Sequence, residues 1–414
     1  MAKVYKGSIV SLETENNRGR FLYAAGRFKE AAEFFQNETE RQKQDGNQPR
    51  VSDFTGLAKS FFALQDFDAA IDAIKQALSV QPDQRVLKRF LGVCYSLSCN
   101  YAEAVEVYEG LLQGKEDDWV VLDGLAHCYH NLKQEDRSIV CGRKSLEAKD
   151  AAVFSKRNPA HAFISSHDFQ REKETAPSFQ TRIPERNVIS YSLWGRKTFY
   201  LDGAVENARL ARVIYPGWVC RFYCDDSVPE KVIGELRRYG AKVVMMPLAS
   251  KAYEGLFWRF QVANDPTVER YLVRDADSPL TCQERLAVDE WIASGKRFHI
   301  IRDWFTHSEL ILAGLCGGVR GALPDLKPLI DSFYGVAEVE RTIDQRFLRW
   351  YVWPLIKDDH LAHDEYFLFG KATRFPAHGR NGTRMHVGAN WHVFDGKKRQ
   401  RVFVSSKSAD RKSS

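Results

Sequence analysis

Across the first third of the chain, residue types return every 34 positions, and this periodicity limits the possible folds more than any other feature. Leu57, Leu91 and Leu125 are spaced 34 apart, as are Phe61, Tyr95 and Tyr129, and Ala70, Ala104 and Ser138. Gly56 and Gly124 share a phase, and the aromatic residues Phe67 and Tyr101 precede the second helix of their units. Small residues at 70 and 104 let two helices approach, and the aromatic before them fills the gap beside the turn. An earlier, less regular unit starts near Arg18, with Gly26, Phe28, Ala31 and Ala32 in matching roles. A longer Gly-, Asn- and Pro-containing loop, Gln44 to Arg50, sets it apart. The expectation is about four helical pairs over 17–149. Such units bury their apolar faces only by stacking.

This period and these residue types resemble the tetratricopeptide repeat. The resemblance implies an all-α solenoid whose concave face binds a protein partner or peptide. After it, 150–187 breaks the pattern with Pro159, Pro177 and Pro184 among many Ser, Lys and Glu, and reads as a linker or wrapping segment.

From Val188 the periodicity changes. Short apolar runs at 188–193, 219–224, 241–246 and 270–274 alternate with helical patterns at 200–214, 229–239 and 258–263. Pro216-Gly217 and Gly240 punctuate the helix ends. This alternation predicts an α/β domain over 188–395 with a doubly wound, mostly parallel sheet. Ligands of such sheets bind beyond the carboxyl ends of the strands. There the fourth run ends in Arg274-Asp275-Ala276-Asp277. Carboxylates one residue apart on extended chain share a face. Their hard oxygens suit Mg2+ or Mn2+ bridging a diphosphate. The D-x-D pattern alone is weak, since Asp66-Phe67-Asp68 repeats it inside the helical array. A strand-terminating turn or a helix cap at Asp277 or Ser278 is the plainer reading.

Four blocks within 188–391 resemble a GT-A nucleotide-sugar glycosyltransferase: Ser190-Tyr-Ser-Leu-Trp-Gly195, Arg221-Phe-Tyr-Cys-Asp-Asp226, Leu256-Phe-Trp-Arg-Phe260 and Asp275-Ala-Asp277. The resemblance implies a metal-dependent transferase, as in polysaccharide biosynthesis, with a UDP-sugar as the favoured donor. It implies donor contacts from Ser192, Trp194, Gly195, Asp225, Arg259 and Asp275, with Arg259 facing the diphosphate. Asp344-Gln345 is similar to the acceptor-side segment of glycogenin-like members. His386-Val-Gly388 is similar to their late histidine, which would join Asp275 and Asp277 at the metal.

Glycosyl transfer leaves negative charge on the departing diphosphate, which a fixed cation and an arginine stabilise. An inverting reaction also needs a base for the acceptor, for which Asp344 is preferred and Asp303 is the second candidate. Trp304 is placed to stack on a sugar of the glycan, lipid-linked or protein acceptor, with Arg302, His307 and Gln345 beside it; a half-buried strand with a helix cap fits the same residues. The glycines of Ala313–Gly321 lack the Gly-Lys-Ser/Thr of a phosphate loop and read as a close-packed floor. Two other readings stay open: a non-catalytic adaptor with a degenerate transferase-like domain, and a nucleotidyltransferase using Trp194-Gly195-Arg196-Lys197.

Composition excludes more than it assigns. The net charge of +6 is modest, and without a basic helix or aromatic ladder it makes no case for nucleic acid. Much of the excess lies in a basic tail, 396–414, expected to be disordered. No run of 18 apolar residues predicts a transmembrane helix. The eight cysteines show no C-x-x-C pair or zinc spacing. Free thiols in a cytoplasmic protein are expected, with peripheral contact at the inner membrane surface as an addition.

Overall fold

The structure is a computed structural model that describes residues 18–156, 158–166, 176–249, 251, 253–335, 337, 340–376, 386–390, 394–395 and 398–399. The chain divides into two compact units, up to Ser145 and from Leu146.

The first unit is helical. Its helices are α1 (18–24), α2 (Phe28–Gln44), α3 (Val51–Ala63), α4 (Phe67–Val80), α5 (Arg85–Leu97), α6 (Tyr101–Leu112), α7 (Trp119–Asn131) and α8 (Glu135–Val153). These are the four expected pairs, and the division between units falls inside α8. The repeat has a packing cause: the aromatic ring of one helix fits against glycines of the two helices flanking it in sequence. A Cβ at Gly19 or Gly56 would lie 2.7 or 2.5 Å from the Phe35 ring. One at Gly92 or Gly124 would lie 2.5 or 2.7 Å from the Tyr108 ring. Asp66 accepts a hydrogen bond from the Ala69 amide at 3.1 Å, so the D-x-D inside the array is a helix cap.

The second unit is a mixed α/β structure. Its strands are β1 (Asn187–Leu193), β2 (Val219–Cys224), β3 (Lys242–Met245), β4 (Arg270–Arg274), β5 (Phe298–Arg302), β6 (Leu315–Val319) and β7 (His360–Asp364). They form one sheet in the order β3-β2-β1-β4-β6-β5-β7. All its pairings are parallel except those of β6, which runs antiparallel to both β4 and β5. The glycine segment expected as a floor is thus an inner strand. Its glycines let neighbours close in, because a Cβ at Gly317 would stand 2.7 Å from the Tyr271 carbonyl oxygen.

Helices α9 (His161–Ser166), α10 (Thr198–Ile214), α11 (Glu230–Arg238), α12 (Gly255–Trp258), α13 (Cys282–Ser294), α14 (Leu326–Tyr334) and α15 (Ile343–Phe347) complete the parts needed here. Ile189, Tyr191 and Leu193 of β1 join α10, α11 and α13 side chains in the main core. The alternate residues Ser190 and Ser192 instead engage Arg259 on the segment after α12. Residues 176–187 wrap this unit rather than link freely: Phe179 packs 5.6 Å from Trp218, and Asn187 donates to the Gln180 carbonyl at 3.0 Å. Of the basic tail, only Lys398–Arg399 are described, paired with Phe394–Asp395; the rest of 396–414 lies outside the described residues.

Candidate active site

Strand β1 pairs with β2 on one side and β4 on the other, so their connections diverge between β1 and β4. Open α/β sheets bind ligands at such a switch point, beyond the carboxyl ends of the strands. Asp275 and Asp277 follow the end of β4 there. They do not sit on extended strand, as the sequence pattern had predicted, but on the turn that succeeds it.

Four neighbours build that turn. Asn207 of α10 is fully buried; its amide donates to the carbonyls of Ala276 at 3.2 Å and Ser278 at 2.9 Å. Its own carbonyl accepts from the Leu280 amide at 3.0 Å. Gly203, one helical turn earlier, lies so close that a Cβ would be 2.3 Å from the Ala276 oxygen. Gly314, just before β6, would put a Cβ 1.9 Å from Asp275 Oδ2. Ser278 donates to the Gly388 carbonyl at 3.1 Å, which brings 386–388 alongside.

Arg259 lies beneath the pair. Ser190 donates to its carbonyl at 2.7 Å, and its amide donates to Ser192 Oγ at 3.0 Å. The guanidinium then bonds Asp275, and reaches Asp344 at 2.8 Å and the Arg274 carbonyl at 3.2 Å. Burial works against its charge, but the two carboxylates hold its pKa above the ordinary value. Arg259 is 4% exposed, so it organises acids rather than facing a diphosphate as the resemblance implied. Asp344, in α15, is also buried. Burial and the Asp275 charge raise its pKa against the pull of Arg259, and its second oxygen caps the Gln345 amide at 2.9 Å. Gln345 is half-buried beside it.

Asp275 remains half open to solvent, while Asp277 is mostly covered. Burial, then the neighbouring Asp275 charge, pushes the Asp277 pKa to about 7. Two mutually repelling carboxylates at an open sheet end fit a hard divalent cation, with phosphate and water oxygens completing its shell. Tyr200 is half-buried near the pair, where burial and then the Asp277 charge raise its pKa, and Arg341 is exposed.

Several expected contacts fall elsewhere. Among the described residues no three His, Cys, Asp or Glu side chains gather as a metal-binding set. His386 therefore is not brought in as a third ligand: its ring stacks on Trp304 at 4.6 Å and its Nδ1 lies 2.9 Å from the Val387 carbonyl. That stacking occupies one face of the half-buried Trp304. His307 is turned inward, with Nδ1 accepting from the Asp303 amide at 3.0 Å; burial and then His386 keep its pKa well below ordinary. Asp303 is wholly buried, and one carboxylate oxygen accepts from both Gln283 at 3.0 Å and the Val387 amide at 2.9 Å. It anchors the 386–388 segment and is not placed as a base. Arg302 is likewise buried, paired with Asp364 at 2.9 Å.

At the end of β1, the Gly195 amide donates to Ser227 Oγ at 2.6 Å, and the Ser227 amide and hydroxyl both donate to Asp225. Asp225 thereby ties the β1 and β2 loops. Trp194 stays 38% exposed with its edge toward Trp258, 6.0 Å away. Sequence reasoning missed Gly203 and Asn207, whereas Gly314 lies in the glycine segment read as a close-packed floor. A signal existed for the first two: Asn207 stands on the small apolar face of α10 with Ala204, Ala208 and Ala211, and Gly203 interrupts the same helix.

Residues 55–118 match the family described as Tetratricopeptide repeat. A 60-residue stretch is 42% identical to the Peroxisomal targeting signal receptor of Candida albicans, covering 14% of this chain. The chain spans only 10% of that relative's length. "Crystal structure of MamA" aligns with 37% of this chain and 86% of its own, at 20% identity and a TM-score of 0.32. "MamA 41-end from Desulfovibrio magneticus RS-1" aligns with 34% and 81%, at 15% identity and a TM-score of 0.30. The family match and the helical pairing establish tetratricopeptide repeats in the first unit. No described helix is long and apolar enough to cross a membrane.

Proposed function

We propose that the second unit is a metal-dependent glycosyltransferase of the GT-A kind, moving a sugar from a nucleotide donor to a glycan, lipid-linked or protein acceptor. The repeats would recruit the acceptor or a partner. One observation carries the reading: the Asp275 and Asp277 turn, built by Asn207, Gly203 and Gly314 at the switch point of the sheet. A turn held this closely serves positioning, since sites on rigid supports keep reacting groups in register.

Asp275 and Asp277 would hold Mn2+ or Mg2+. Such an ion supplies positive charge where a nucleoside diphosphate departs. Arg259 holds Asp275 in place through its guanidinium. Trp194, exposed at the end of β1, is the surface for the donor's base, and Asp225 fixes the loop beneath it. Asp344, preferred as the acceptor base, is drawn into the Arg259 pair, so it would serve as a base only after leaving that contact.

That last feature supports a second reading, an adaptor that keeps the transferase architecture without turnover. A thermal-shift panel of UDP-, GDP- and CMP-sugars, with and without MnCl2, tests the first. A donor at 100 times its Kd should stabilise the protein by about 2.7 kcal/mol. A panel in which no nucleotide sugar shifts the melt, with or without the metal, would leave the adaptor reading.

A further inference from the structure

Strand β3 is the outermost strand of its sheet, paired with β2 on one side and with no strand on the other among the described residues. Such edges are normally blunted by charge or cover, because their open backbone invites contact. Here Val244, Met245 and Leu248 are left 36, 52 and 70% exposed along the strand and the segment after it. Apolar side chains gathered on one edge mark a contact surface, unlike the scattered exposure of any protein. The charge around them has one sign. From 236 to 253 the chain carries four cations, Arg237, Arg238, Lys242 and Lys251, and no acid. Lys251 is engaged by α14, with Asp331 4.0 Å away and the Tyr334 ring 4.8 Å beneath it. Arg237, Arg238 and Lys242 are exposed before and at the start of the strand. Glu230 lies 3.6 Å from Arg237, but both are open to solvent, which screens the pair.

We infer that the β3 edge docks on an anionic lipid bilayer, with Met245 and Leu248 entering the headgroup boundary and Arg237, Arg238 and Lys242 held by lipid phosphates. The charge selects this occupant. A second copy paired edge to edge would set these cations against their own duplicates. A nucleic acid calls for stacking rings, and the exposed run Val244 to Leu248 holds none. A bilayer meets both features: its headgroups attract the basic groups, and its acyl boundary takes the apolar side chains. Because β3 runs parallel to β2 and β1, Leu248 leaves the edge at the same end of the sheet as the acidic turn. Docking requires no turnover in the α/β unit, so it stands or falls independently of the transferase reading.

Co-sedimentation of the full chain with vesicles tests this, using phosphatidylcholine alone and phosphatidylcholine with phosphatidylglycerol in equal parts. The wild type should bind the mixed vesicles, leave the neutral ones in solution, and be released by high salt. Each basic residue near an anionic surface contributes about fivefold, so Arg237→Gln with Arg238→Gln should weaken partitioning about 10- to 50-fold. Met245→Ser with Leu248→Ser should weaken it by about tenfold or more. Lys371→Gln with Arg374→Gln, exposed after β7 at the opposite edge, should leave it within about twofold. Melting curves matching the wild type show that each variant is folded. Absence of wild-type binding, or equal binding to both kinds of vesicle, would overturn the proposal. So would wild-type binding by the Arg237 and Arg238 variant, which would assign the attraction to the basic residues of 396–414, common to every variant. A loss of the same size in the Lys371 and Arg374 variant would show general charge attraction and sink it too. A lipid-free dimer that Met245→Ser with Leu248→Ser dissolves would put a second copy on the edge instead.

Discussion

At the scale of single residues, the acidic turn makes sharp demands on its neighbours. Asn207→Ala would leave the Ala276 and Ser278 carbonyls and the Leu280 amide without their buried partner. Orphaned buried groups cost about 1–3 kcal/mol each, so denaturant unfolding should show a loss of roughly 3 kcal/mol or more. Asn207→Asp should lose more, because a carboxylate would face two carbonyls. Asp277 gives a pH prediction. In the unfolded chain its carboxyl ionises near its ordinary 3.8, and in the folded protein near 7. The folded state therefore holds the extra proton between those values, and metal-free stability falls as pH rises from about 4 through 7. Asp277→Asn should stabilise the metal-free protein at pH 8 by roughly 1–4 kcal/mol, with the gain vanishing toward pH 4. Denaturant midpoints measured across that range check the sign. Divalent-ion affinity should move the other way and strengthen as pH rises through 7, since the proton must leave first.

At the scale of elements, the helical pairs and the strands β1 to β4 were legible because each carries its own period and punctuation. The 34-residue repeat survives in isolation because each unit solves the same local packing problem. β6 was not legible as a strand: Leu315-Cys-Gly-Gly-Val319 has the glycines that strands usually avoid. They are there because Tyr271 and Leu272 of β4 press against them, a tertiary demand that no local pattern displays. The acidic pair was readable from its place after β4, but its supports lie far off along the chain, Asn207 69 residues from Ala276 and Gly314 39 from Asp275. The fate of Arg259, Asp303 and His307 was invisible for the same reason, since each depends on which distant group claims its polar atoms. The repeats offer a direct test of their packing rule. Gly92→Ala would drive a methyl into the Tyr108 ring, where the ideal position lies 2.5 Å away. Overpacking of this sort costs about 1–3 kcal/mol, and amide exchange within α5, α6 and α7 should quicken while exchange in the sheet stays as it was.

At the scale of the whole molecule, two units with separate cores carry two different architectures. The tetratricopeptide repeats form a helical scaffold, proposed to recruit the acceptor or a partner, and the α/β unit carries a candidate site at its sheet's switch point. Ligand protection should follow that division: a bound nucleotide slows amide exchange near β1, β4 and α10, and leaves α3 to α6 unaffected. The central claim is that Asp275 and Asp277 together hold a divalent ion that a nucleoside diphosphate completes. Electron paramagnetic resonance of Mn2+ tests it most directly, because the free ion's signal falls as it is bound. The account predicts that the wild-type protein depletes free Mn2+ more strongly once UDP or another nucleoside diphosphate is added, and that Asp275→Asn with Asp277→Asn abolishes this protein-dependent loss. Depletion by the double variant equal to that of the wild type would contradict it.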